Sequence, residues 1–381
     1  MLVDAVAVRT GGGPVRLREL ATALPALRPD AEFTFVVPED GVRAVRRLAP
    51  DVKTVCPPRG MGHTPARLVW EHLVMPGLNR DAALDVALSP FNVLPTRWPG
   101  RTPVRAVIVS NLAPYAPEVR SMYGGRPGMR LEVLRRLTDR TLQRADRVFL
   151  LSRQAYDLIG RSILGDRAEL IPMAPPPIPE VLPVPARLPE DPFFFSSSDF
   201  ARYKGLEVAI EALARVRVAD PPLLLVAGRE LEPDYASAMR DLAVHLGVAD
   251  RVWFIGPTGH EEVLALMRRS VACVTPSRFE NPGRVPVEAM AMSAPVLSAD
   301  VPASREVCAD AAWYFSLSRP DELAAMMKDL LERPALRDPM IEAGRARVRG
   351  MTPSSAAEQI LASVETIVQD RPARPRAATR G

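Results

Sequence analysis

Two glutamates, Glu280 and Glu288, bracket a turn rich in proline and glycine in "PSRFENPGRVPVEAMAMSAPVLSAD", residues 276 to 300. An apolar segment runs into the loop that carries Glu280, and the first turns of an Ala/Met-rich helix carry Glu288. Between them the amides of residues 281 to 284 can hold an anion, while each carboxylate accepts hydrogen bonds from hydroxyls on its own side of that anion. Hydroxylated groups flanking a pyrophosphate describe a nucleotide sugar. A second stretch, "SSSDFARYKGLEVAIEAL", places Arg202 and Lys204 in a loop that opens a helix. There an ammonium group and the positive end of the helix act on the same negative charge. Near the N-terminus Gly11, Gly12 and Gly13 stand between an apolar run and the amphipathic "PVRLRELATAL", so that backbone N–H groups can approach a phosphate or sugar. Neither a G-x-G-x-x-G fingerprint nor a P-loop is present. Three dispersed cysteines, Cys56, Cys273 and Cys308, and four scattered histidines lack metal-ligand spacing, so no metal site is expected.

Residues so far apart act on one ligand only if a scaffold gathers their loops. Short β-branched or aromatic runs alternate with helical-period segments through most of the chain, the signature of parallel sheets covered by helices. Strands are expected at 2–8, 32–37, 83–89, 104–110 and 147–151, and again at 192–197, 222–228, 251–256, 271–276 and 295–300. The segment 171–192 contains nine prolines, which exclude a helix or a central strand and predict an extended connector. The expected organisation is an N-terminal Rossmann-like domain over 1–175, a Pro-rich linker over 176–192 and a second Rossmann-like domain over 193–352. A helix over 353–370 is expected to pack back on the first domain, with a disordered tail over 371–381.

Composition narrows the setting. With 381 residues and 47% hydrophobic content the chain can bury about two cores. No apolar run reaches membrane-span length and the start lacks a signal-peptide pattern, so the cytoplasm is the expected address. A net charge of +4 suits an acidic ligand or surface. Arginines crowd the stretch between Arg120 and Arg147, at Arg126, Arg130, Arg135, Arg136, Arg140 and Arg144. They read either as a solvated helix face or as a face that meets anionic lipid or a phosphorylated acceptor. With no interleaved aromatics, nucleic acid is not an expected partner.

In combination these segments resemble the retaining glycosyltransferases of family four, whose GT-B architecture is an α/β fold of two facing Rossmann-like domains with a cleft between them and C-terminal helices. That family reads approximately E-G-F-G-x-P-x-x-E-A-M-A where this chain has "ENPGRVPVEAMA". The resemblance extends through "RLVWEHLVMPGL", "DVALSPFNVLP", "RADRVFLLS", "RYKGLEVAIEAL" and "WFIGPTGHEEVLALMRRS". It implies that Glu280 contacts the donor sugar, Glu288 the ribose hydroxyls and Lys204 the pyrophosphate, with Gly12 and Gly13 facing the donor from the other domain. The segment from Trp253 to Gly256, with Phe254 and Ile255, would line the base, and the amides of Gly283, Arg284 and Val285 would meet the diphosphate. The chain departs from the family at three places. Ser198 stands where many relatives have a basic residue, which leaves Arg202 as a source of the second charge. Ser110 and Asn111 stand where many have a His-Asp pair, so Asn111 or Ser110 is the candidate for orienting the sugar or acceptor. Asn281-Pro282 replaces Gly-Phe and removes one N–H donor.

The expected reaction moves a hexose-type sugar from an NDP-sugar to an acceptor hydroxyl with retention, the nucleotide sugar being a co-substrate and no cofactor or metal being needed. The expected acceptor is a glycan, a lipid-linked molecule or a small molecule, with peripheral contact to an anionic membrane at its inner face. Two other readings stay open: a non-catalytic sugar-nucleotide-binding partner of another transferase, and a sugar-nucleotide epimerase or hydrolase.

Overall fold

The structure is a computed structural model that describes residues 1–8, 13–58, 64–79, 84–175, 178–185, 188–352 and 354–371. Two parallel sheets organise it. The first has the order β3-β2-β1-β4-β5-β6-β7, where β1 is Leu2–Asp4, β2 Thr34–Val36, β3 Lys53–Val55, β4 Val86–Ser89, β5 Val104–Val109, β6 Arg147–Leu150 and β7 Ala168–Leu170. The second has the order β10-β9-β8-β11-β12-β13, with β8 at Phe193–Ser197, β9 at Leu223–Ala227, β10 at Val252–Gly256, β11 at Ala272–Thr275, β12 at Val296–Ala299 and β13 at Ala312–Phe315.

Both sheets are covered on both faces, and alternation within each strand shows why. In the first, Val3, Phe35, Leu88, Ile108 and Phe149 belong to one buried cluster, while Leu2, Val36, Ala87, Val107 and Val148 belong to the other. In the second, Phe194, Leu224, Val274 and Leu297 face one way and Phe195, Leu225, Cys273 and Val296 the other. Strands buried on two sides carry apolar residues on both faces, which is why these runs lack a regular polar alternation.

The strand order reverses between β1 and β4 in the first sheet and between β8 and β11 in the second. In open α/β sheets such a switch point splays the loops at the strands' carboxyl ends and leaves a crevice for ligands. The two crevices face each other across a cleft of about 1470 Å³. Several links hold the halves together. Phe279, which follows β11, is buried in a cluster of the first half, and the helix Ser355–Gln369 packs Ala357, Ile360 and Val364 onto that half's other face. Gln359 donates to the Leu170 carbonyl at 2.8 Å. Among the described residues no helix is long and apolar enough to cross a membrane. The expected disordered tail lies, beyond Arg371, outside the described residues.

Candidate active site

The loop after β8 and the loop after β11 flank the second switch point, so residues distant in sequence meet there. Lys204 Nζ donates to Glu280 Oε1 at 2.7 Å. A 3-10 turn, Arg202–Lys204, ends at Gly205 with φ +62°. A Cβ at Gly205 would lie 2.3 Å from the Pro276 carbonyl oxygen, so only glycine lets the lysine loop touch the glutamate loop. Gly228 serves the same end: a Cβ there would lie 2.0 Å from the Ser198 carbonyl oxygen. Burial works against the charge on Lys204, but Glu280, Tyr203 and Asp199 more than offset it and hold its pKa above the usual lysine range.

The helix Arg284–Ala291 begins beside this pair with Gly283 as its N-cap, and no side chain caps its first amides. Gly283 also keeps the space that the Glu280 side chain folds across, since a Cβ would lie 3.3 Å from Glu280 Cγ. Arg284 and Val285 line the cleft. Arg284 forms a bidentate pair with Glu19, at 2.8 and 3.2 Å. Glu19 lies on the helix Gly13–Leu27 of the first half and also pairs with Arg16 at 3.5 Å. Burial lowers Arg16 to about 10 although Glu19 pulls upward. A chain of arginine, glutamate and arginine therefore crosses the cleft beside Gly13, which itself lines the wall. Gly11 and Gly12 lie outside the described residues.

Asn281 has a role that its position in the turn did not announce. Its amide nitrogen donates to the Val109 carbonyl at 3.0 Å, and its amide oxygen accepts from the Ser152 hydroxyl at 3.0 Å. The residue that replaces a glycine of the family pattern thus ties the glutamate turn to β5 and to the end of β6. With Arg153 N–H donating to Glu306 at 2.8 Å and Tyr123 bonded to Glu232, it fixes the cleft from several sides.

Glu288 is 4% exposed. Burial pushes it up to about 7, Glu19 adding to the rise and Arg284 opposing it. Its Oε1 lies 3.9 Å from His260 Nε2, and neither atom has a hydrogen-bond partner among the described residues. His260, the first residue of the helix His260–Arg269, is lowered to about 4 by burial and by Arg18 and Arg284, with Glu261 and Glu19 pulling the other way. The imidazole is neutral at physiological pH, so the two do not form an ion pair.

The remaining expected residues divide. Ser198 is buried in the cleft wall, its hydroxyl donating to the Asp199 carbonyl at 3.3 Å. Arg202 lines the cleft, is half-exposed and pairs with Glu232 at 3.4 Å. Asn111 is exposed in the cleft wall and uses its amide oxygen to accept from the Ala113 N–H at 3.0 Å. Ser110 donates to the Pro90 carbonyl at 2.6 Å. Phe254 and Ile255 are not part of the cleft wall. They lie within β10, whose side chains point to the faces of the sheet, whereas the cleft opens at its carboxyl edge. Phe254 packs on Phe200 with ring centroids 5.3 Å apart, and Ile255 packs on the domain core. Pro257, Thr258 and His260, just beyond the strand, line the cleft instead.

Two residues of this site went unread in the sequence. Asn92, buried with φ +68°, accepts from the Ser110 and Asn111 amides at 2.9 Å and donates to the Asn111 carbonyl at 2.7 Å. It builds the loop that presents Asn111; an asparagine just after Pro90 is a signal for such a left-handed position. His260 carried no signal beyond standing at a helix start. Among the described residues no cluster of three or more His, Cys, Asp or Glu side chains is placed to hold a metal ion.

Comparison with known proteins bears on the fold and on the second half of the chain. Residues 180–347 match the model of the family described as glycosyl transferases group 1. An O-antigen chain mannosyltransferase, RfbU of Salmonella typhimurium, is 31% identical over 112 residues, which are 29% of this chain and 31% of that protein. The chain spans less than half the length of the curated relatives it matches. Solved structures align over nearly all of it and share its fold. Sucrose-phosphate synthase from Thermosynechococcus elongatus superimposes with a TM-score of 0.74 at 19% identity, covering 97% of this chain and 98% of that one. HepE of Anabaena, solved in complex with UDP-glucose, gives 0.70 at 15% identity over 96% and 99% of the two chains. The fold is that of GT-B glycosyltransferases.

Proposed function

We propose that this chain, whose residues 180–347 match the model of the glycosyl transferases group 1, is a retaining glycosyltransferase that moves a hexose-type sugar from a nucleoside diphosphate sugar to an acceptor hydroxyl. The observation that carries this reading is the Lys204–Glu280 pair at 2.7 Å, set at a switch point beside an uncapped helix start. A diphosphate there meets a buried ammonium and free amides, and the sugar beyond it meets a carboxylate. As the bond from the anomeric carbon to the phosphate oxygen breaks, Lys204, Arg284 and the amides of Gly283 to Val285 stabilise the charge that develops on the leaving diphosphate. The acceptor oxygen bonds to the same face of that carbon, and its proton passes to the departing phosphate oxygen. The positive charge that builds on the sugar is stabilised by Glu280, and no protein nucleophile or metal ion enters the scheme.

The other wall of the cleft favours an anionic or lipid-linked acceptor. In the helix Gly125–Arg144, Arg135 and Arg136 are paired with Glu132 at 2.9 Å. Arg126 and Arg130 are exposed in the cleft wall and have no ion pair among the described residues. Met129 and Val133, 62% and 51% exposed, lie on the same helix, a mixture of basic and apolar groups that suits an anionic membrane surface. A screen of UDP-, GDP-, ADP- and dTDP-sugars by thermal shift and by transfer to anionic vesicle-borne or soluble acceptors, with and without EDTA, tests the reading. Lys204→Ala is expected to weaken binding of the preferred nucleoside diphosphate by about one to two decades, from a charge-assisted contact worth roughly 1.5–3 kcal/mol. Unchanged affinity would move the phosphate site elsewhere, and nucleotide binding without transfer to any acceptor would favour the non-catalytic partner.

A further inference from the structure

The Lys204–Glu280 pair belongs to the second half of the chain, yet the residues beside it are set into the first. Phe279, which precedes Glu280, is buried in the cluster that contains Leu2, Val107 and Val148. Tyr203, which precedes Lys204, packs on that same cluster. Asn281, which follows Glu280, donates to the Val109 carbonyl and accepts from the Ser152 hydroxyl, both at 3.0 Å. Glu280 is therefore held from both sides by neighbours anchored across the cleft. Ser152 is fully buried and, like Val109, is no part of the cleft wall, so it reaches a ligand in the cleft only through Asn281. A glycine at position 281, as in the family pattern, has no side chain to make either bond.

We propose that Asn281 and Ser152 are positioning residues: through the bond between them the first half sets where the Glu280 carboxylate stands, and the grip on the donor's sugar depends on the two halves being docked. The inference rests on the reading of Glu280 as the sugar's contact and extends it to Ser152, which touches no ligand. A binding group is only as well placed as the side chains that hold it, and a shift of about 1 Å is enough to lose its contact. The diphosphate is held differently. The helix Arg284–Ala291, whose first amides meet it, buries Val287, Ala289 and Met290 in the core of the second half, so those amides keep their place when the link to Ser152 is cut. Loss of the link therefore separates the two parts of the donor, weakening the hold on the sugar and sparing the hold on the diphosphate.

The test compares each free diphosphate with a sugar nucleotide, UDP with UDP-glucose, GDP with GDP-mannose and ADP with ADP-glucose, by calorimetry on the full chain, and takes the pair that binds tightest. The quantity read is the ratio of the two affinities. Ser152→Ala should lower sugar-nucleotide affinity about fivefold against the diphosphate, roughly what one hydrogen bond supplies, and Asn281→Ala about tenfold. The double variant should lose no more than Asn281→Ala alone, because residues that act through one contact are not additive. Unchanged diphosphate affinity in the same variants shows that the fold is intact. Glu280→Ala serves as the reference for loss of the sugar contact. If it moves the ratio while Ser152→Ala and Asn281→Ala do not, or if those two weaken both ligands alike, the positioning role is overturned and the donor site stands. If Glu280→Ala leaves the ratio unmoved, or no pair binds, the donor-site reading falls together with it.

Discussion

Buried acids in both halves of the molecule have pKa values raised well above the usual carboxylate range, and the two halves differ in what those acids face. In the first half Asp4, at the end of β1, and Glu71 are both 3% exposed. Burial pushes both up, with each other's charge adding to the rise at Glu71 and Arg67 opposing it at both. Arg67 lies 3.2 Å from Glu71, and Glu71 sits in a π-helical turn, Trp70–Val74. Perturbed acids and π-turns are both marks of functional sites, yet neither Asp4, Arg67 nor Glu71 lines the cleft. In the second half Glu288 has the same kind of shift from the same cause, and it belongs to the cleft wall. A raised pKa measures burial. What separates a binding group from a structural one here is whether the residue belongs to the cleft wall.

The sharpest way to break that distinction is to remove the charge from each acid. Glu288→Gln keeps the shape but loses an anionic acceptor, and at pH 8 it should weaken binding of the preferred nucleoside diphosphate by about one to two decades, the worth of a hydrogen bond to a charged group. Asp4→Asn should leave that affinity unchanged. Calorimetric titration of the two variants side by side decides the matter: a loss of similar size in both would mean that the Asp4 cluster belongs to the site after all.

The second test reads stability. A carboxyl whose folded pKa is raised binds protons more tightly folded than unfolded, so its favourable contribution is complete below the unfolded pKa near 4 and is lost as pH rises through the folded value. For Asp4 and Glu71 the loss falls between the ordinary carboxylate range and the neutral to mildly alkaline range. Asp4→Asn removes one acid of the pair, and it should therefore stabilise the protein at pH 8 by about 2 kcal/mol relative to its effect at pH 4.5. Urea unfolding at both pH values checks it, and a variant equally affected at both would place the shift elsewhere.

The sequence exposes these halves unevenly, for physical reasons. Central strands such as Val104–Val109 and Phe193–Ser197 are buried on both faces and read as predominantly apolar runs, VRAVIV and FFFSS. The strands at Lys53–Val55, Ala168–Leu170 and Ala312–Phe315 escaped notice, and all three are sheet edges. An edge strand needs fewer apolar positions, and two of these are three residues long with Lys53 or Glu169 inside them. In the site, the local grouping of Glu280 with Glu288 was legible because one turn spans them. The meeting of Lys204 with Glu280 depends on strand order, and that of Arg284 with Glu19 on how two domains face each other. No spacing in one sequence encodes either. Asn281 shows the limit most clearly: in sequence it removes a glycine from a turn, and in the fold it bonds to Val109 and Ser152 of the other half.

The smallest expected effect is a pH dependence that only a ligand-facing acid can produce. Glu288 lies at about 7 in the ligand-free fold, and a ribose hydroxyl that donates to it favours the ionised form. Between pH 8 and pH 6 the ionised fraction falls by about tenfold, and nucleoside diphosphate affinity should fall with it, a change of roughly 1.4 kcal/mol. His260, at about 4, stays neutral across that window and does not offset the loss. The terminal phosphate of the nucleotide titrates in a similar range, but it does so equally against every variant. The informative quantity is therefore the affinity ratio between the unaltered protein and Glu288→Gln. That ratio should shrink as pH falls from 8 to 6, while the ratio to Asp4→Asn stays flat. If both ratios are flat, Glu288 carries no proton that the ligand displaces, and its burial is as structural as that of Asp4.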